Sequence, residues 1–308
     1  MKKDEKNRLI WLNGEIINVN DAKINVLSPT AQFGLNVFEG IRCYWNQEQK
    51  QLFAFRLKEH YHRLLQSVRL LQIEEKYNQE QLQEALVQVI KANNYCEDIA
   101  VRQTIFVDGF GTWHSKETAG MFVSPISKAK TNPEYNKKGL NCCVSSWRRI
   151  SDNVLSPRIK CGANYINSRM AQREALRNGY DTTIFLNEFG KVAEGPGSCI
   201  FIIKNGKLIT PMFTDSVLES ITRDTIITLA RENGIETIER TIDRTELYTA
   251  DEAFLCGSAM EVTPVNSVDK YLINNGIEGE LTHSLHLKYL ECVNGNNSAH
   301  NNWLTPIY

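Results

Sequence analysis

Two Asn-Gly dipeptides, Asn13-Gly14 and Asn205-Gly206, each sit between short runs rich in β-branched and apolar residues. A two-residue hairpin loop needs positive φ at its centre, and Asn-Gly supplies it at low steric cost. The runs LIWLNGEIIN and SCIFIIKNGKLITP therefore predict hairpins, and with them antiparallel pairing. A further hairpin is expected where TTIFLN turns through NEFG into KVAE. Helical periodicity falls between such hairpins rather than after every strand. Leu64, Leu65, Val68 and Leu71 recur at helical spacing in 58–71, and Leu82, Ala85, Leu86, Val89 and Ile90 share one face of 79–94. Helices are also predicted over 164–179 and 221–233, ended by Gly179 and Gly234, and over 281–293. Strands are predicted near 40–45, 51–55, 99–107, 121–126, 140–147, 235–241, 252–256 and 261–268. Hairpins mixed with helices, in place of a strict β-α-β alternation, imply a mixed α/β (α+β) fold with substantially antiparallel sheets.

A chain of 308 residues can divide its apolar surface between two medium-sized cores. The segment KAKTNPEYNKKG (128–139) is polar, Lys-rich and interrupted by Pro, so it is the expected linker between a small domain (1–127) and a larger one (140–308). A formal net charge of −1 gives no electrostatic reason to expect nucleic acid or an anionic membrane as partner. The eight Cys contain no C-x-x-C pair, so neither a zinc ribbon nor thioredoxin chemistry is suggested, and no metal is expected. Gly109-Phe-Gly111 lacks the third glycine and the following helix of a dinucleotide fingerprint. No apolar run reaches spanning length, and the start MKKDEKNRLIW lacks the apolar core of a signal peptide. A cytoplasmic location with reduced thiols is the expectation.

Three segments carry chemistry in a telling order: Lys160 in PRIKCGANY, Glu194 in VAEGPGS, and LESITRD (218–224) opening a helix. Pyridoxal phosphate chemistry asks for one Lys amine to form a Schiff base with the aldehyde. It also asks for a carboxylate facing the pyridinium nitrogen and a helix N-terminus to receive the phosphate. Lys160 on its own reads as one basic surface residue, but small uncharged residues follow it up to Tyr165, a phenol placed to bond the ring oxygen. Glu194 on its own reads as a solvated turn residue, yet Gly195 and Gly197 would permit close approach to a planar ligand. Ser220 is expected to cap its helix, with the N–H groups of Ile221 and Thr222 and the Thr222 hydroxyl able to hold a phosphate. Gly257, Ser258 and Ala259 offer a second turn able to present amides to an anion, and Arg63 in HYHRL is either an exposed helix charge or a phosphate partner. His60 and His62 are two apart and cannot share a ligand face of a helix. The adjacent Arg148 and Arg149 in SSWRRIS read as a solvated strand end without a role.

With these residues in place the chain resembles the fold-type IV pyridoxal-phosphate aminotransferases, and is most similar to the branched-chain amino acid type. The resemblance runs from WLNGEIIN through VFEGIRCY, HYHRL, VRQTIFV, SSWRRIS, KCGANY, the 181–224 block and ADEAFLCGSAMEVTPV to WLTPIY, which is nearly the whole chain. It implies Lys160 as the Schiff-base lysine and proton shuttle, Glu194 against the pyridinium nitrogen, Tyr165 near the ring oxygen and Leu218 packed on the ring. It further implies Arg63, Ile221, Thr222 and Ser258 at the phosphate, and Phe38, Gly40, Arg102, Ser258 and Ala259 in the substrate pocket. The implied fold has two α/β domains with the cofactor between them, and the implied assembly is a homodimer or higher homo-oligomer.

The departures concern the pocket wall. Relatives of the branched-chain type usually read YIRP where this chain has AVRQ, so Ala100 stands for a Tyr; Phe33 stands for another, and Ile126 for a Trp. Cys199 takes the place of a familiar Asn, and LESITR that of LPGITR. Loss of a buried hydroxyl changes substrate choice more than loss of a methylene does. The expected reaction is transamination between an amino acid and a 2-oxo acid, with L-glutamate as donor, Arg102 on its side-chain carboxylate, and a specialised acceptor range. A D-amino acid aminotransferase, a pyruvate-releasing lyase of aminodeoxychorismate type and a non-catalytic binding protein are the alternatives.

Overall fold

The computed structural model describes residues 7–116, 118–131 and 139–308. They divide into two compact units, of which the first comprises residues up to Lys130, Ile159–Ala163 and Cys292–Tyr308. Asn13 (φ 49°) and Gly14 (φ 106°) turn β1 (Leu9–Leu12) into β2 (Glu15–Asn18), as the dipeptide predicts. A short helix missed by periodicity, α1 (Pro29–Phe33), is started by the Ser28 side chain accepting from Ala31 N–H and ended by Gly34 at φ 71°. Next come β3 (Asn36–Asn46), β4 (Gln51–Phe55), α2 (Leu57–Leu70), α3 (Gln79–Asn93), β5 (Ile99–Val107) and β6 (Ala119–Ser127). A reciprocal Asn78–Gln81 capping box starts α3.

Among the described residues the sheet of this unit has seven strands: the C-terminal strand Leu304–Pro306, then β4, β3, β5, β6, β1 and β2, antiparallel throughout. Its two faces differ. Odd-numbered residues Val37, Ile41, Val101, Ile105, Met121 and Val123 are fully buried on the face that carries α2 and α3. Even-numbered residues line up in rows on the more open face, Gly40–Arg102–Ser124 beside Arg42–Ala100–Ile126.

The second unit comprises Thr131–Arg158 and Asn164–Glu291. It contains β7 (Leu140–Arg148), α4 (Asp152–Leu155), α5 (Asn164–Arg177), β8 (Thr182–Leu186), β9 (Cys199–Lys204), β10 (Lys207–Thr210), α6 (Ile221–Glu232), β11 (Thr237–Glu239), β12 (Glu252–Gly257), β13 (Glu261–Val268) and β14 (Tyr271–Leu272), and begins most of α7 (Glu280–Val293). The strand order is β11-β10-β9-β12-β13-β7-β8, with β14 added to β13. Asn205 (φ 50°) and Gly206 (φ 72°) close the second predicted hairpin. Pairing is mixed here, because β7–β8, β13–β7 and β10–β11 are parallel. A parallel pair needs a crossover, and α5 and α6 supply those between β7 and β8 and between β10 and β11. Ile184, Leu186, Ile200, Ile202, Ile209, Leu255 and Val265 fill the core.

Most of the expected linker, residues 132–138, lies outside the described residues. The segment that carries Lys160 and the chain end both belong to the first unit: Cys161 bridges Val37 of β3, and Leu304 pairs with Phe55 of β4. No helix of the described residues is long and apolar enough to cross a membrane.

Candidate active site

In the first unit the backbone of Lys160 is tied down at both ends of its peptide. Its carbonyl accepts the Phe38 N–H at 2.9 Å, and its own N–H donates to Ser67 Oγ at 3.1 Å. Gly162 lets this segment lie on β3, since a Cβ there would fall 2.7 Å from Asn36 Oδ1. The half-buried Lys160 places Nζ 5.1 Å from the Phe38 ring centroid, and the exposed Arg102 brings its guanidinium carbon to 3.9 Å of the same ring. Gly40, directly across from Arg102, would present a Cβ to open space with nothing within 4 Å. Lys160, Phe38, Gly40 and Arg102 thus share one neighbourhood.

One helical turn before Ser67, Arg63 is buried rather than exposed. Its Nε and Nη2 donate to the two oxygens of Glu39 at 2.7 Å each, and His60 Nδ1 meets Glu39 Oε2 at 2.7 Å. Burial pushes the Glu39 carboxyl up, but the adjacent Arg63 guanidinium and His60 outweigh it and hold the group well below the usual carboxylate range. Burial also pushes His60 down, against the pull of Glu39. His62 points to solvent, as the two-residue spacing requires.

In the second unit Glu194 is only 4% exposed, which corrects the solvated-turn reading. Its Oε1 receives both Nε and Nη2 of Arg149 at 2.8 Å, and Oε2 accepts the Leu218 N–H at 3.1 Å. Arg149, read from sequence as part of a solvated strand end, is buried; Arg148 is the exposed one. The turn after Glu194 is closed by Gly195 N–H donating to Ser198 O at 2.8 Å. A Cβ on Gly195 would lie 2.5 Å from Ser198 Oγ, and one on Gly257 would lie 3.2 Å from Gly197 O, so the turn after Glu194 and the Gly257–Ala259 turn approach closely at their glycines. Tyr165, in the first turn of α5, reaches within 4.0 Å of where a Cβ on Gly197 would be. Ser220 caps α6 by accepting from Arg223 N–H, leaving Ile221 and Thr222, both buried, at its first turn. Cys199 Sγ approaches Leu218 O at 3.8 Å and backs that residue. Glu194, Leu218, Tyr165, Gly197 and the turn bearing Ser258 and Ala259 are therefore connected. Among the described residues the buried Ser198 Oγ has no hydrogen-bond partner.

Sequence reasoning missed Glu39, His60, Arg149 and Ser198. Glu39 had a signal: it occupies an inward position between Val37 and Ile41 in an alternating strand, where a carboxylate needs a buried partner. Among the described residues no cluster of three or more His, Cys, Asp or Glu is placed to hold a metal ion.

Residues 36–268 match the family model described as amino-transferase class IV. The chain belongs to that family. It is 41% identical to a probable branched-chain-amino-acid aminotransferase of Aquifex aeolicus over 97% of this chain and 96% of the relative. It is 37% identical to the branched-chain-amino-acid aminotransferase of Escherichia coli K12, with 97% of each covered. The crystal structure of the Thermobaculum terrenum branched-chain amino acid aminotransferase in its PLP-form superposes with a TM-score of 0.93 at 41% identity, over 99% of this chain and 100% of that one. The class IV member is thus an aminotransferase with the fold of the fold-type IV enzymes, and neither the lyase nor the non-catalytic alternative is favoured.

Proposed function

We propose that this class IV aminotransferase moves an amino group between an L-amino acid with an apolar, branched-chain-like side chain and a 2-oxo acid, with L-glutamate as donor. Pyridoxal 5'-phosphate is the cofactor, in keeping with the holo-form relative. The residues of this chain fit that group. Glycines lie close to neighbouring backbone beside Glu194, a buried hydroxyl on Ser198 has no partner among the described residues, and Glu194 is a buried carboxyl paired with Arg149 rather than a surface one. When bound, the cofactor supplies an aldehyde that captures amines and a ring that withdraws electrons from the adjoining carbon.

The observation that carries the reading is Lys160, a primary amine whose backbone is fixed to β3 and α2 beside Phe38 and Arg102. Its Nζ would hold the cofactor's aldehyde and, once freed by an incoming substrate amine, would move the proton between the substrate Cα and the cofactor carbon. Arg63, Ile221, Thr222 and Ser258 are assigned to the phosphate, Tyr165 to the ring oxygen, Leu218 to the ring face and Glu194 to the ring nitrogen. Phe38, Gly40, Arg102, Ser258 and Ala259 are assigned to substrate. Arg102 supplies the charge for a glutamate side chain, while Ala100, Ile126 and Phe38 on the same sheet face suit an apolar one.

A homodimer is the proposed assembly. Ile24, Val26, Leu27, Phe33, Phe110 and Trp113 are exposed. Gln32 Nε2, on the helix that carries Phe33, donates to Leu27 O and Gly111 O and so ties that helix to the two loops that carry the others, an apolar surface of the kind a subunit covers. Eight cysteines without a disulfide, seven of them buried, accord with a reducing cytoplasm. Lys160→Ala is the direct test: the variant should lose the visible absorbance of the bound cofactor and all transamination. A wild-type band in that variant would sink the assignment. A panel of L- and D-amino acids scored by half-reaction spectra defines the donor range, and sedimentation reads the assembly.

A further inference from the structure

The mechanism above asks Glu194 to remain a carboxylate, yet a carboxyl that is 4% exposed would by itself take up a proton rather than carry charge away from water. What faces it decides its state. Arg149 is a charged group that does so: it is itself 8% exposed, and two of its nitrogens converge on one carboxylate oxygen at 2.8 Å. The rest of Arg149 is equally fixed. Its N–H donates to Leu186 O at 2.9 Å, Nη1 reaches Asn167 Oδ1 at 3.5 Å, and its guanidinium lies 5.8 Å from the Phe185 ring centroid. The Phe185 N–H in turn donates to Glu194 O at 2.8 Å, so β8 registers the backbone of the acid and of the base together.

We propose that Arg149 is a positioning residue that sets the charge of Glu194, keeping the carboxylate ionised so that it accepts a hydrogen bond from the protonated ring nitrogen of the cofactor and leaves the proton there. This rests on the assignment of Glu194 to that nitrogen. The two groups share one proton, and the environment selects between an ionic pair and a neutral pair. In a dry site the neutral pair, carboxylic acid with unprotonated nitrogen, wins unless a third charge stabilises the carboxylate. Arg149 is that third charge. Without it the proton moves to Glu194, the ring nitrogen becomes neutral, and the ring loses its pull on electrons.

The test loads the protein with cofactor labelled with 15N in the ring and reads the nitrogen by NMR, so that protonation is seen apart from turnover. The wild type should show a protonated nitrogen, Arg149→Met an unprotonated one, and Arg149→Lys, which restores the charge, a protonated one. Half-reaction rates with an amino acid should fall at least about tenfold in Arg149→Met, one pKa unit's worth. Glu194→Gln should also give an unprotonated nitrogen. Adding Arg149→Met to Glu194→Gln should change nothing further in the signal, because no carboxylate charge is left to set. The double variant also buries no unpaired carboxylate, so it remains measurable if Arg149→Met alone folds poorly. A protonated nitrogen in Arg149→Met, or an additional shift when Arg149→Met is placed on Glu194→Gln, overturns the role of Arg149. A protonated nitrogen in Glu194→Gln instead overturns the assignment of Glu194, and the two failures are thereby distinguished.

Discussion

Replacing Glu39 by Gln tests whether a buried charge network holds the proposed phosphate arginine. The side chain is fully buried and makes three contacts of 2.7 Å, two with Arg63 and one with His60. The amide keeps the volume but removes the charge, and its NH2 meets a donor where the carboxylate met one. Breaking a buried pair from one side costs about 3–5 kcal/mol, because the other charge stays uncompensated. The amide oxygen retains one bond to the guanidinium, worth about 1.5–3 kcal/mol. The central values, about 4 less about 2 kcal/mol, leave a net loss of about 2 kcal/mol in the apoprotein, read as a shift of the urea midpoint at constant slope. Phosphate changes that figure. If Arg63 meets the phosphate, a bound anion replaces part of the lost carboxylate, so the loss should shrink by about 1 kcal/mol with saturating inorganic phosphate, equivalent to roughly fivefold tighter phosphate binding by the variant. Equal losses with and without phosphate would remove Arg63 from the phosphate site. An apoprotein loss under about 1 kcal/mol would refute the buried-charge reasoning itself.

Three further outcomes are expected. Ala100→Tyr, facing Ile126 across β5 and β6, should change the ratio of kcat/KM between a bulky and a branched-chain oxo acid by about tenfold or more, since a pocket change of one group is worth about 1–3 kcal/mol; a ratio unchanged within twofold counts against this wall. Gly40→Ala should leave the melting temperature level or slightly raised, because its Cβ meets nothing within 4 Å, while shifting kcat/KM between substrates; a large loss of stability would contradict the open floor. His286 is buried with Nδ1 unbonded among the described residues, and burial pushes it down from 6.5 to about 4 despite Glu261 nearby. The unfolded chain takes up that proton near pH 6.5 and the folded one does not, so the contribution is complete above about 6.5 and is lost as pH falls toward about 4, at most about 3 kcal/mol in all. His286→Leu should flatten the fall of the urea midpoint between neutral and mildly acid pH, and an unchanged pH slope would exclude the histidine as its source.

Local chemistry made much of this fold legible. Asn13-Gly14 and Asn205-Gly206 specify hairpins through φ alone, and the apolar faces of α2 and α3 repeat at helical period, so those elements stand where the sequence puts them. What escaped was whatever depends on partners far along the chain. TTIFL is buried at every position, so it carries no alternation to reveal that β8 runs parallel to β7. The terminal strand Leu304–Pro306 and the Lys160 segment join the first unit because β4 and β3 offer them ladder partners, which no local pattern records.

The same limit explains the site. Each unit buries one glutamate against one arginine, Glu39 with Arg63 and Glu194 with Arg149, at separations of 24 and 45 residues. In each pair the sequence exposed one member: Arg63 as a helix charge with a phosphate alternative, and Glu194 as a carboxylate among glycines. The other member looked idle because its reason lies across the fold. A buried acid that must stay charged has to carry its counter-charge with it, and a buried arginine that must be aimed needs a rigid acceptor. The arginine proposed for the phosphate and the carboxylate proposed for the ring nitrogen are thus held by one device used with opposite polarity. In the first unit the acid orients the base, and in the second the base sets the acid. Removing the supporting member of either pair should therefore alter the charge state or aim of the other before it alters the shape of the fold.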